Sequence, residues 1–199
     1  MVIAAKRCEG ARAPILSPAA VVRWKAYGNN ESALPGIQVE RKRLDMSVKI
    51  QEVPSSEAPI DLLLLADPSE EKIRSYLETS RCFTLSRDGA VLGACVVRPT
   101  REGAHELMSI AVWTQAQKSG WGTALLKWVI DFHRQRGVAR MVVGTGTFGY
   151  QLAFYQRQGF RVTSIERDFF LDNYPDPIFE EGIQLFDMLV LTLELGSST

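Results

Sequence analysis

The stretch Leu107–Gly122, LMSIAVWTQAQKSGWG, constrains this chain more than any other. An apolar run of strand length passes through a short polar turn into Gln117-Lys118-Ser119-Gly120-Trp121-Gly122, and a helical pattern follows at once. A strand that turns straight into a helix must bury both elements, which calls for a sheet covered by helices. Two glycines at such a turn leave backbone amides bare at a helix N-terminus. There the N–H groups donate and the helix dipole favours negative charge, which suits phosphate oxygens. Lys118 adds a cation beside them. The Walker loop and the GxGxxG pattern are both absent from this stretch. On spacing alone, a plain tight turn accounts for the same residues.

The rest of the chain supplies the sheet. Ser47–Val53 alternates as a strand, and Ile60–Leu65 suits a buried helical turn. Asp67-Pro68-Ser69 predicts a helix start with Pro68 at its first position and a run to about Leu77. Cys82–Ser86 and Val91–Val97 flank Asp88-Gly89, a hairpin signal. After the Leu107–Val112 strand come a helix over Gly122–Arg136, a short strand at Met141–Val143, and a helix over Tyr150–Gln158 stopped by Gly159. Strands are expected at Phe160–Ile165 and Gln184–Leu195. The fold class is α/β (α+β), a mixed sheet of about six to seven strands flanked by helices.

Charge divides the chain. Lys plus Arg and Asp plus Glu number 23 each, so the formal net charge is zero. Residues 1–43 nevertheless hold eight bases against three acids, a surplus of five that the remainder offsets. Residues 1–45 read as a loose extension without sustained periodicity, and 46–199 as the compact domain. The neutral balance argues against a nucleic-acid partner. The lack of a long apolar run argues against a membrane span. Cys8, Cys82 and Cys95 form no CxxC pair, which points to a reducing cytoplasm; Cys82 and Cys95, within the hairpin strands, read as buried thiols. His105 and His133 have no ligand spacing, so no metal is expected. His133, near a polar helix end, reads as a surface residue. His105, beside Glu106 on a strand, points to the opposite face.

Two motifs then carry a family likeness. Glu106-Leu107 through Ile110-Ala111-Val112, followed by Gln117-x-x-Gly120-x-Gly122 and a helix, resembles the acetyl-CoA-binding motif of the GNAT N-acetyltransferase superfamily. Downstream, Ala153-Phe154-Tyr155-Gln156-Arg157-Gln158-Gly159-Phe160 resembles a second motif of that family, in the family's order. The likeness covers about residues 46–195. Many members have Asn shortly before the second helix, where this chain has Thr147 or Tyr150.

The resemblance implies that two splayed strands, Leu107–Val112 and Met141–Gly144, hold acetyl-CoA between them. Ile110, Ala111 and Val112 would hold the pantetheine arm. Gln117 opens the phosphate loop, and amides from Lys118, Ser119, Gly120, Trp121, Gly122 and Thr123 would hold the pyrophosphate. Trp121 either covers the phosphates or packs, since Trp121, Leu125, Trp128 and Phe132 form one helix stripe. The implied reaction is direct transfer of acetyl to an amine. An alkyl ammonium with a pKa of ~10.4 costs about 4–5 kcal/mol to neutralise at pH 7. Glu106 occupies the place of the family's catalytic glutamate, and Tyr155 that of its general acid. A thiol-like leaving group needs little protonation at pH 7, so amine deprotonation is the heavier demand.

Residues 168–187 hold six acids and no base, with several aromatics. In the family this region often lines the acceptor site. Asp168, Phe169, Tyr174, Glu180 and Glu181 are therefore candidate contacts for a cationic amine. The expected partner is a small amine such as an aminoglycoside, polyamine or amino-acid derivative, and a homodimer is left open. A protein lysine or N-terminal acetyltransferase and a non-catalytic acyl-CoA sensor are the alternatives.

Overall fold

The computed structural model describes residues 48–196, so the expectation of a loose extension over 1–45 lies outside the described residues. Nine strands are formed by β1 (Val48–Val53), β2 (Arg81–Arg87), β3 (Ala90–Pro99), β4 (His105–Val112), β5 (Arg140–Gly146), β6 (Arg161–Glu166), β7 (Phe179–Glu180), β8 (Ile183–Gln184) and β9 (Met188–Glu194). The helices are α1 (Ile60–Leu63), α2 (Glu70–Leu77), α3 (Trp121–Arg134), α4 (Tyr150–Arg157) and α5 (Phe169–Asn173). Seven strands make one sheet in the order β1-β2-β3-β4-β5-β9-β6, and β7-β8 form a separate ribbon. Among the described residues only β4–β5 is parallel; β2–β3 and β5–β9 are among the antiparallel pairs.

Local chemistry explains most of these elements. Asp88 and Gly89 carry φ of 53° and 80°, so the β2–β3 hairpin closes with both turn residues left-handed, as the Asp-Gly signal predicts. The helix start moves: Ser69, not Asp67, caps α2 by accepting from Lys72 N–H at 3.3 Å, and Pro68 lies outside the helix. Asp67 instead accepts from Ser69 N–H at 3.0 Å and is buried. Gly159, with φ 91°, ends α4 as expected. The strand expected over Gln184–Leu195 breaks into β8 and β9, and the expected acidic loop contains α5 and the ribbon.

Two layers cover the sheet. On one face α3 and α4 pack Leu125, Leu126, Val129, Phe154 and Tyr155 against Phe83, Cys95, Leu107, Ile110 and Met141. On the other, α1 and α2 pack Leu62, Leu63, Ile73 and Tyr76 against Cys82, Ala94, Val96 and Ala111. Beside that second layer, Phe170, Tyr174, Ile178, Leu185 and Met188 form a third cluster.

His133 is not on the surface. It is fully buried on α3, with its ring 4.9 Å from that of His105 and 5.7 Å from Phe83. Helical period carries it to the inner face, and Nδ1 pairs with the Val129 carbonyl oxygen at 2.8 Å. Burial above all, then the neighbouring charges of His105, Arg81 and Arg136, pushes its pKa down to about 4. The folded state therefore resists protonation between about pH 4 and the ordinary value near 6.5. Stability from this group is complete above about 6.5, declines as pH falls, and levels off below about 4. The loss is about 3 kcal/mol at most. Urea unfolding at pH 7.5 and 4.5 checks it: His133→Gln should lose less stability between the two pH values than the wild type. Equal losses would refute the assignment.

Candidate active site

The parallel pair β4–β5 is joined only at its beginning. His105, Glu106 and Leu107 pair with Met141, Val142 and Val143, and beyond those the two strands part. From Met108 to Val112 the β4 edge facing β5 is thus left without sheet partners, while β5 stays paired with β9 along its other edge from Arg140 through Gly146. Backbone groups at that edge must be satisfied by something else. An extended amide-bearing chain such as pantetheine fits the edge, as a strand would.

A β-bulge decides which side chains face which layer. Val96 pairs with Ser109 and Val97 with Leu107, so Met108 is an extra residue on β4. Strict alternation would put Glu106 and Ser109 on opposite faces. With the bulge, Leu107 and Ile110 both face α3, and Glu106, Ser109 and Ala111 all face the α1–α2 side. Glu106 lies there with its Oε2 2.7 Å from an Arg98 guanidinium nitrogen. It lines a depression of about 380 Å³ together with Glu102, Glu166, Arg101, Arg140 and Val142. Arg140 reaches Glu102 at 3.5 Å.

Tyr155 approaches from the opposite face. It is fully buried, and its hydroxyl has no hydrogen-bond partner among the described residues. Burial, and secondarily the charge of a Cys95 thiolate, raise its pKa well above the ordinary phenol value, so it carries its proton at neutral pH. Cys95 pairs with Ile110, which sets Tyr155 at the level where β5 has left β4. Thr145 of β5, alternating with Met141 and Val143, presents a second buried and unpartnered hydroxyl to this face.

The phosphate turn has the expected open form. Gly120 caps α3 with φ 84°, and Lys118 is also left-handed at φ 60°. Gln117 does not point outward: its Nε2 donates to the Val112 carbonyl at 3.0 Å, tying the turn to the strand. Ser119 Oγ makes a 3.4 Å bond to the Gln117 carbonyl. Trp121 packs against the core below α3, with the Arg87 guanidinium 6.0 Å from its ring. Arg87 thus brings a second cation to the turn, hidden in the sequence by its distance along the chain. A Cβ at Gly122 would lie 3.6 Å from the nearest protein atom, an ordinary contact, so packing does not require glycine there. The close approach of phosphate oxygens to a bare backbone explains it, and the turn fits a pyrophosphate. Gly122→Ala should accordingly keep or raise stability, by up to about 1 kcal/mol. It should reduce the gain in Tm that acetyl-CoA confers; an unchanged gain would show that this turn does not hold the cofactor.

A second glycine run is a decoy. Gly144-Thr145-Gly146-Thr147-Phe148-Gly149 spells GxGxxG from the last residues of β5 to the start of α4. Here the protein fills the space itself. A Cβ at Gly144 would lie 2.4 Å from Met188 Sδ, and one at Gly149 2.3 Å from Glu180 Oε1. These glycines admit β9 and the ribbon rather than phosphates.

The acidic segment is divided by the fold. Glu180 lies over the start of α4, its pKa raised by burial and by Glu181. Glu181 sits exposed in the ribbon turn at φ 51°. Asp168 is exposed at the start of α5, where its N–H donates to Asp187 Oδ1 at 2.9 Å. Phe169 packs edge-on to Phe170 at 5.4 Å. Tyr174 is buried, with Lys72 Nζ 3.4 Å from its ring centroid. Phe169 and Tyr174 thus belong to the third apolar cluster, and Glu180 and Glu181 act on each other in the ribbon. Sequence reading passed over Lys72, Tyr76, Ser109 and Asp67 on the α2 side, because their approach depends on tertiary packing. Among the described residues no three His, Cys, Asp or Glu side chains group as a metal site, and no helix is long and apolar enough to cross a membrane.

Comparison with known proteins gives the same answer as the splayed strands and the turn. The model of the acetyltransferase (GNAT) family matches residues 50–160. An uncharacterized N-acetyltransferase of Bacillus subtilis (strain 168), YvbK, is 41% identical over 136 residues, 68% of this chain and 88% of that protein. The fold superposes on an IAA acetyltransferase from Bacillus cereus ATCC 14579 with a TM-score of 0.71 at 39% identity, covering 74% of this chain and 99% of that one. It also superposes on a GNAT family acetyltransferase from Elizabethkingia anophelis with acetyl-CoA bound, at a TM-score of 0.70 and 40% identity, covering 74% and 97%. With a matching family model across more than half its length and relatives of about 40% identity, this chain belongs to the GNAT acetyltransferase family and is an acetyl-CoA-dependent acetyltransferase.

Proposed function

We propose that the chain transfers acetyl directly to a primary amine on a small cationic molecule. The observation that carries this reading is the shared face of Glu106 and the neighbouring carboxylates. Glu102, Glu106 and Glu166 line one depression, and its volume of about 380 Å³ suits a small molecule. Glu180 lies at the start of α4, beyond the open ends of the strands. Arg101 and Arg140 line the same depression and Arg98 pairs with Glu106, so these carboxylates offer individual hydrogen-bond partners to an ammonium group rather than a net negative field.

Acetyl-CoA supplies an activated acetyl group as a thioester. The chain's residues do the rest. The free β4 edge at Ile110 and Val112 aligns the pantetheine and orients the carbonyl. Amides from Lys118 to Thr123 hold the pyrophosphate, with Lys118 and Arg87 supplying cations. Glu106 takes the ammonium proton, through water, before or as the nitrogen attacks. Tyr155 keeps its proton at neutral pH and can pass it to the departing sulfur. The acetyl–nitrogen bond forms as the carbon–sulfur bond breaks; the ammonium loses two protons in all, one through water to Glu106 and one as the amide forms, and the second makes good the proton that Tyr155 gives to the thiolate. The work takes place in the cytoplasm, where the buried thiols of Cys82 and Cys95 stay reduced.

Two measurements test the reading in sequence. Acetyl-CoA at well above its Kd should raise Tm, as any ligand of the native state must. Thiol release should then follow on small di- and polyamines and not on peptides. Preference for lysine-containing or N-terminal peptides would replace the small-amine reading with a protein acetyltransferase.

A further inference from the structure

We propose that two copies of this chain pair through the outer edge of β6, about a twofold axis normal to the sheet, and join their sheets into one. This interface stands apart from the choice of acceptor above. Among the described residues β6 ends the sheet and bonds only to β9. All six of its residues, Arg161-Val162-Thr163-Ser164-Ile165-Glu166, are exposed, the apolar Val162 at 43% and Ile165 at 59%. Such an edge presents unpaired N–H and C=O groups, which proteins commonly blunt with lysine or proline. β6 contains neither. Arg161 and Glu166 form no ion pair among the described residues.

The strand is its own complement. Antiparallel pairing about that axis sets Arg161 opposite Glu166, Val162 opposite Ile165 and Thr163 opposite Ser164, each twice. A regular strand could not adopt this register. Its side chains alternate, so Arg161 and Glu166 would stand on opposite faces, whereas directly paired residues must share one. The bulge removes the conflict: Thr163 is an extra residue between the Val162–Leu191 and Ser164–Val190 pairs. Val162 and Ile165 accordingly pair with Leu191 and Leu189, which face the α3–α4 layer. Arg161 and Glu166 pair with Thr192 and Met188, on the other face. Thr163 Oγ1 donates to the Val190 carbonyl at 3.2 Å and lies 3.0 Å from Thr192 Oγ1, so the bulge is tied inward to β9. The charges thus share one face and the apolar pair the other, in the order that a second copy requires.

The opposite edge lacks this property. β1 carries Lys49 and Glu52, but it runs in unbroken register with β2, so the two charges fall on opposite faces. Glu52 is also already paired with Arg81 at 2.8 Å. On β6, by contrast, opposite charges and branched apolar side chains meet directly, the contacts that stabilise antiparallel ladders. Main-chain bonds along the edge add affinity. A strand of six residues makes a small interface, so a Kd on the order of micromolar or weaker is expected. Glu166 also lines the depression that holds Glu106. The second copy would therefore bring its own Arg161 to the rim of the candidate site.

The test is sedimentation velocity on the full chain over about 1–500 μM, a range that covers an interface of this size. The mean mass of the wild type should climb toward that of a dimer. Arg161→Glu and Glu166→Arg each set like charges opposite one another twice, and each should weaken association by at least about ten-fold. Both positions are exposed, so Tm should stay near the wild-type value. An equal mixture of the two variants is the deciding arm. Each reversed charge then meets the opposite sign on the other chain, and a one-to-one dimer should form with near wild-type affinity. If a charge reversal lowers Tm sharply, Ile165→Lys takes its place: it sets a charge opposite Val162 and should likewise give monomer. A wild type that stays monomeric throughout, a dimer that none of these variants weakens, or a mixture of folded variants that stays monomeric would overturn the interface.

Discussion

Glu106→Gln is expected to lower kcat at pH 7 by about 10²–10⁴-fold, the range a positioned general base supplies. Gln keeps the size and a hydrogen bond to Arg98 but cannot take a proton. The substrate ammonium then has to ionise in solution, where each pH unit below its pKa of ~10.4 costs tenfold in neutral amine. The variant's log kcat/KM should consequently rise with slope near one from pH 6 to 9, and the deficit should shrink toward alkaline pH. Loss of the Arg98 ion pair, which is part-exposed, changes stability by only about 0–1 kcal/mol, so activity and Tm should separate. Full activity of the variant across this pH range would exclude Glu106 as the base. Tyr155→Phe should cost less, because a thiol-like leaving group is a good one at pH 7.

Those two residues also mark what could be read from sequence. Glu106, the Gln117–Gly122 turn and the Asp88-Gly89 hairpin were legible because each depends on neighbours a few positions away. A left-handed turn or a bare helix start is written into local residues. The face on which Glu106 stands was not legible. It depends on Met108, a single extra residue that no alternation pattern announces, and that bulge also brings Ser109 to the α2 side. His133 was misread for a related reason. Its polar neighbours suggest a surface, yet its partners His105 and Phe83 come from β4 and β2. The acidic segment after residue 168 read as one loop because short elements lack a period long enough to detect. Glycines mislead in both directions. Gly122 leaves room for a Cβ at ordinary contact distance, whereas the space beside the GxGxxG run that ends β5 is filled by Met188 and Glu180. Spacing cannot tell space kept for a ligand from space taken by the chain itself.

Phe83→Ala is expected to cost about 3–5 kcal/mol, the largest stability effect in this set. Phe83 is fully buried on β2, and its ring meets Trp128 at 5.8 Å, Phe132 at 4.9 Å and His133 at 5.7 Å, all edge-on. The substitution removes the surface on which the second half of α3 rests. For a domain of this size Tm should fall by roughly 6–20 °C. The first turn of α3, with the phosphate-binding amides, is packed separately through Trp121 and Leu125. If that separation holds, acetyl-CoA at 100 times its Kd should still contribute about 2.7 kcal/mol to the variant, as to the wild type. A depressed Tm with an undiminished acetyl-CoA increment is the expected result in thermal scans. A lost increment would mean that the aromatic cluster sets the geometry of the turn, and that the cofactor site is held in place through the far end of the helix.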